Sequence, residues 1–276
     1  MRFRNLWILT LLISASLSAS AQWLHHPAPG TPRTPDGKPN LTAPAPRAPN
    51  GKPDLSGIWM AQSSPIPELL GLLPGGVNGL GENIPSKYFL DILADFKRGE
   101  EPLLPAAAAA QRSISVGRDA PITRCLPAGV PEGDVMPTPF KLIQTPGLIV
   151  MLYELDNSFR QIFTDGRKHP DDPQPSWLGY SVGKWEGDWL VVDSIGFNDQ
   201  SWLDAGGHTH SDALRVTERF HRRDFGHLEV EVRLDDPKTF TKPVAIHFNE
   251  ELVPDTELIE SFCAEDEKDR AHLPAK

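Results

Sequence analysis

The sequence predicts a mainly β fold, an antiparallel meander closed or nearly closed into a barrel, with one or two short helices ahead of it. Three observations carry this. Hairpin signals follow one another from residue 147: Asp156-Asn157-Ser158, Glu186-Gly187-Asp188 and Arg223-Asp224-Phe225-Gly226 each join two apolar runs. Alternation is strict in His227–Leu234, with Leu228, Val230, Val232 and Leu234 on one face and Glu229, Glu231 and Arg233 on the other. About nine such runs in sequential hairpins leave two free edges unless the sheet closes on itself.

In chain order, Arg2 and Arg4, the apolar run Leu6–Leu12 and Ala19-Ser20-Ala21 read as an export signal over residues 1–21, cleaved before Gln22. That implies a periplasmic or secreted protein. No later run reaches 18 apolar residues, so no membrane span is expected after signal removal. Residues 22–53 hold nine prolines in 32 residues and read as a Pro-rich linker, either a flexible tether or a docking arm. A repeat sits inside it: Pro35-Asp36-Gly37-Lys38-Pro39 returns as Pro49-Asn50-Gly51-Lys52-Pro53. From residue 54 to 276 the chain reads as a single barrel domain. Ser56–Met60 is its first strand. Ser86 caps a helix expected over Lys87–Arg98, with Phe89, Ile92, Leu93 and Phe96 on one face. Pro105 opens a short alanine helix to Arg112, and residues 117–146 read as loop. The strands then run 148–155, 159–164, 179–185, 189–195, 213–222, 227–234 and 244–248, with Glu257–Cys263 as the last.

The net charge of -10 repels phosphate backbones and argues against a nucleic-acid partner. The two cysteines, Cys125 and Cys263, are expected to pair in an oxidising compartment; two separate buried thiols are the alternative.

Two resemblances follow from quoted segments. Gly57-Ile58-Trp59, on the first strand of a meander, resembles the Gly-X-Trp signature of lipocalins and related calycin barrels, which implies a calycin-like barrel. Residues 51–59, Asp165-Gly166-Arg167-Lys168-His169-Pro170, residues 175–188 and Gly207-His208-Thr209-His210-Ser211 resemble a family of secreted bacterial proteins of unknown function. That resemblance brings no activity, so function rests on the residues.

Unusual polar side chains collect between hairpins, where a rigid scaffold usually carries its chemistry. His208 and His210, spaced i, i+2, point the same way in extended backbone; with His169 they form a three-nitrogen set able to hold a divalent metal such as zinc. The alternatives are metal-free acid/base chemistry and solvated loop histidines. Glu218 alternates with Leu214, Val216 and Phe220, which points a carboxylate inward; it reads as a general acid/base, or as half of an ion pair with an inward arginine such as Arg160. Arg167, Trp177, Tyr180, Trp202 and Asp204 are candidate substrate contacts. Neither a dinucleotide fingerprint nor a Gly-X-Ser-X-Gly elbow is present. The expected function is an exported enzyme acting on a small organic substrate by hydrolysis or elimination, with His169, His208, His210 and Glu218 as its acid/base set. The rivals are a lipocalin-like carrier of a small apolar ligand and an envelope interaction protein using the Pro-rich arm.

Overall fold

The computed structural model describes residues 26–73 and 84–263; residues 1–21, expected to be an export signal, lie outside them. Nine strands close into one barrel in sequence order: β1 (Gly57–Ala61), β2 (Phe140–Thr145), β3 (Leu148–Tyr153), β4 (Phe159–Phe163), β5 (Tyr180–Glu186), β6 (Trp189–Ile195), β7 (Arg215–Arg222), β8 (His227–Asp235) and β9 (Val244–Leu252). The ring shuts where Ala61 on β1 pairs with Glu250 on β9. Short helices α1 (Ile66–Leu69), α2 (Lys87–Leu90), α3 (Pro105–Ser113), α4 (Val116–Asp119) and α5 (Glu132–Val135) occupy the long β1–β2 connection. Among the described residues no helix is long and apolar enough to cross a membrane.

The alternation expected in β8 is met: Leu228, Val230, Val232 and Leu234 are buried. The same period turns Phe140, Leu142, Ile149, Met151, Ile162, Leu190, Val192, Val216, Phe220, Ile246 and Phe248 into a common core. Cys125 and Cys263 are joined, with Cα atoms 5.5 Å apart across 138 residues. Closing so long a loop stabilises the chain by about 5 kcal/mol in the chain-entropy picture.

Four expectations are corrected. The meander is not antiparallel throughout: β4 and β5 run parallel, through only two register pairs, Ile162↔Ser181 and Phe163↔Val182. Residues 164–179 must therefore return from one barrel end to the other before β5 starts. Glu257–Cys263 is not a strand, because the chain leaves the barrel after Leu252; the ninth strand is Phe140–Thr145, whose Phe140 and Leu142 alternate inward between bounding prolines. The helix expected over Lys87–Arg98 is α-helical only to Leu90. Its propagation is intercepted by two carboxylates: Asp91 accepts the Leu93 N–H at 2.8 Å and Asp204 accepts the Ile92 N–H at 2.5 Å.

The fourth correction is the linker. Residues 26–53 lie against the barrel end that carries the β5–β6 and β7–β8 turns. Each copy of the repeat closes a turn, with Gly37 and Gly51 at φ of 83° and 79°. Each puts an arginine at the same place. Arg33 takes both oxygens of Asp255, and Arg47 takes both oxygens of Asp188 at 2.8 and 2.7 Å. Between them, the Leu41 and Ala43 carbonyls accept the Gly226 and Phe225 N–H groups, each at 2.7 Å. Arg222 completes this end, donating to the Asp54 carbonyl at 2.6 Å with its guanidinium 4.9 Å from the Trp59 ring centroid.

Leu41 packs directly on Gly226, where an added Cβ would overlap the Leu41 side chain. Gly226→Ala should therefore lift the arm, costing about 1–3 kcal/mol by chemical denaturation and speeding proteolysis within residues 26–53. Unchanged protease resistance would mean that the arm is held by its arginines alone.

Candidate functional site

The barrel interior is filled rather than open, and its centre is charged. Arg160 on β4 points inward and is 2% exposed. All five of its N–H groups are used: one donates to Ser181 Oγ at 3.0 Å, one to Ser194 Oγ at 2.8 Å, one to Met151 Sδ at 4.0 Å, and two grip Glu218 Oε1 and Oε2. Glu218 is fully buried, as its alternation requires, and stands opposite Val192 and Val232 on the neighbouring strands. Its partner is Arg160, so the ion-pair reading is the one realised. Asp134 on α5 lies above the pair, accepting the Tyr153 hydroxyl at 2.7 Å with its second oxygen 3.8 Å from Arg160. Burial and the nearby Glu218 charge push the Asp134 carboxyl up to about 8. Glu250 on β9 is also buried, neither oxygen finds a partner, and desolvation raises its pKa well above the usual carboxylate range.

The second cluster sits at the barrel end opposite the arm, in the β6–β7 connection. Asp204, fully buried, accepts three hydrogen bonds: from the Ile92 N–H, from the His208 N–H at 3.0 Å, and from His208 Nδ1 at 2.6 Å. The tight return between them needs its glycines. A Cβ on Gly206 would press on the Leu90 carbonyl oxygen, and Gly207 holds φ at 90°. With Nδ1–H committed to Asp204, His208 Nε2 is the acceptor, and the Gln111 amide from α3 reaches it at 2.5 Å. Asp91 lies 3.8 Å from Nδ1. Burial alone would lower the His208 pKa; the Asp204 hydrogen bond and charge, with Asp91 behind, outweigh it and leave it raised. Glu132 on α5 is buried, and desolvation together with the Asp204 charge pushes its carboxyl up to about 8. Oriented imidazole, buried orienting carboxylate and a carboxyl that keeps its proton near neutrality are the parts of an acid/base site. The ligand atoms of Asp91, Asp204 and His208 also lie within 4.8 Å of one another, the one such metal-sized group among the described residues.

The expected three-histidine set does not form. His210 Nδ1 donates to the Ser211 carbonyl at 2.9 Å, and its Nε2 meets Ser201 Oγ at 2.8 Å. That serine is buried under Gly129, which leaves the pair no approach. Burial lowers the His210 pKa. His169 bonds the Asp193 carbonyl at 2.9 Å. Asp193 faces outward on β6, so His169 lies outside the barrel wall. The i, i+2 spacing misled because each ring has its own partner: His208 turns to Asp204, and His210 to Ser201 and the Ser211 carbonyl.

The other expected contacts divide. Asp204 belongs to the His208 cluster, and Trp202 is buried beside it, bridged to Thr209. Trp177 and Tyr180 line a groove on the wall. Arg167 is exposed, paired with Asp165 at 2.6 Å. Asp91, Gln111 and Glu132 escaped notice because each is far from His208 in sequence and none stands in a motif. The one trace is Asp91, a helix-breaking aspartate inside an otherwise helical pattern. Comparison with family models, curated proteins and solved structures gives no match.

Two expected outcomes follow. Glu218→Gln should cost about 3–5 kcal/mol by leaving Arg160 buried without its counter-charge, while Arg160→Met with Glu218→Leu should recover most of that loss; a double-mutant denaturation series measures it, and a neutral Glu218→Gln would break the pairing argument. The second concerns pH. Asp134, Glu132 and Glu250 each hold a proton more tightly in the fold than in the unfolded chain. Their contribution is whole below the unfolded value of about 4 and is lost as pH rises through the folded values. His208, also raised, acts in the same sense from about pH 6.5 upward. Urea midpoints should therefore fall between about pH 5 and about pH 8.5, and Glu250→Leu should flatten the slope. A midpoint constant over that window would contradict it.

Proposed function

We propose that the protein is an enzyme that moves a proton on a small organic substrate, in a hydrolysis or an elimination, with His208 as the base. The observation that carries this is the 2.6 Å bond from His208 Nδ1 to the fully buried Asp204. It fixes the ring's tautomer and aim and leaves Nε2 as the working nitrogen. Gln111 stands on Nε2 and is the group a substrate's acidic proton would displace. Glu132, with a carboxyl held protonated to about pH 8, is suited to return a proton to a leaving group. Glu218 takes no part, being spent on Arg160. The Cys125–Cys263 bridge suits an oxidising compartment and supports reading the chain as exported.

A second reading uses the same residues. Asp91, Asp204 and His208 offer two carboxylates and an imidazole to a divalent cation such as zinc, with their ligand atoms already gathered. A non-catalytic carrier is less well supported, because the barrel interior is occupied by side chains.

The test is turnover of a panel of esters, lactones, glycosides and β-elimination substrates by the purified protein after chelation. His208→Asn and Asp204→Asn should each lower turnover by roughly 10²–10⁴-fold, with far-UV spectra unchanged. Activity that vanishes on chelation and returns with zinc would move the reading to the metal. No turnover across the panel would remove the enzyme reading and leave the carrier.

A further inference from the structure

The barrel has one weak seam, and a binding groove follows from it. β4 pairs with β3 along Phe159–Phe163 but meets β5 only at Ile162 and Phe163. The first half of β4 and the chain entering β5 therefore diverge, and the gap is a groove of about 490 Å³, within the range of small-molecule sites. Phe159, Phe163, Trp177 and Tyr180 line it. Phe159 is 59% exposed and adds its ring to the apolar surface of this groove.

The charge in this groove is unbalanced. Its lining holds two ionisable groups, Arg160 and Asp156. Arg160 is neutralised by Glu218, as described above. Asp156 is not: both its oxygens are buried and neither meets a hydrogen-bond partner. Its backbone is left-handed, with φ at 65°, in the short turn between β3 and β4. Burial raises the Asp156 pKa, and a cation held among the aromatic rings of the groove would favour its ionised form. Because the Asp156 oxygens are covered, they offer their field rather than a hydrogen bond. That suits an ammonium with no N–H to satisfy, whose methyl groups can lie on ring faces. The wall already uses this chemistry at its rim, where the Arg167 guanidinium lies 3.8 Å from the Phe163 ring centroid.

We infer that the β4–β5 groove is a binding site for a small quaternary ammonium ion, held by the rings of Phe159, Trp177 and Tyr180 and by the field of Asp156; the Phe163 ring is already covered by Arg167 and Tyr180. The site is separate from the Asp204–His208 pair and does not depend on the reaction proposed there, since His208 does not line the groove.

Isothermal titration of the whole protein with choline chloride, and with its uncharged carbon isostere 3,3-dimethylbutan-1-ol, tests this. Choline should bind and the alcohol should bind at least roughly tenfold more weakly. Asp156→Asn keeps the shape and tolerates the left-handed backbone, so it should fold normally and lose roughly tenfold in choline affinity. Trp177→Leu, checked for native near-ultraviolet dichroism, should lose a similar factor. Equal binding of alcohol and ammonium, full affinity in Asp156→Asn, or no choline binding up to about 10 mM would each overturn the assignment.

Discussion

A barrel that closes around an arginine must answer that charge, and the interior of this one is organised by the answer. Arg160 enters from β4, and β5, β6 and β7 each contribute a polar group to it: Ser181, Ser194 and Glu218. Three strands are thereby tied to a fourth at one level of the barrel. An isolated guanidinium there would be untenable, and a mispaired register would turn Glu218 outward and leave it so. The pair therefore specifies register, and it also occupies the volume an open barrel would give to an apolar cargo. The sites proposed above lie at the margins, in the loops at one end and the seam in the wall.

The two barrel ends are built differently. The arm end is closed by short turns, the arm's own carbonyls and two arginine–aspartate clamps, a covering with little room for rearrangement. The opposite end is made of long connections and short helices, and there the buried ionisable groups accumulate: Asp204, His208, Glu132 and Asp134. Such groups weaken a fold unless each finds a partner. Several have incomplete partners here, the observation on which the proposed acid/base site draws.

Much of the barrel was legible because period-two alternation is a local signal. Leu228 to Leu234 declared their face unaided, and Glu218 declared its own by standing among apolar residues. What local signals missed was pairing at a distance. β2 was hidden between Pro139 and Pro146, although both bound the strand without interrupting it. The parallel β4–β5 pair was unreadable because hairpin signals describe only strands that turn back at once. In the site, Asp204 and His208 were both visible, but Asp91 and Gln111 come from the β1–β2 connection and reach the histidine only through the fold, as Glu132 reaches the field of Asp204. His169 and His210 were chosen for residue type and spacing, and spacing fails where neighbouring rings take different partners.

The arm's grip also sets an order of assembly. Arg33 meets Asp255, 222 residues later, and Arg47 meets Asp188, 141 residues later. Neither aspartate is in position until the turns and strands around it have formed, and closing contacts of such separation comes late. The proline-rich segment is therefore a latch: made early in the chain, fastened last, and engaged only on a barrel that has already shut.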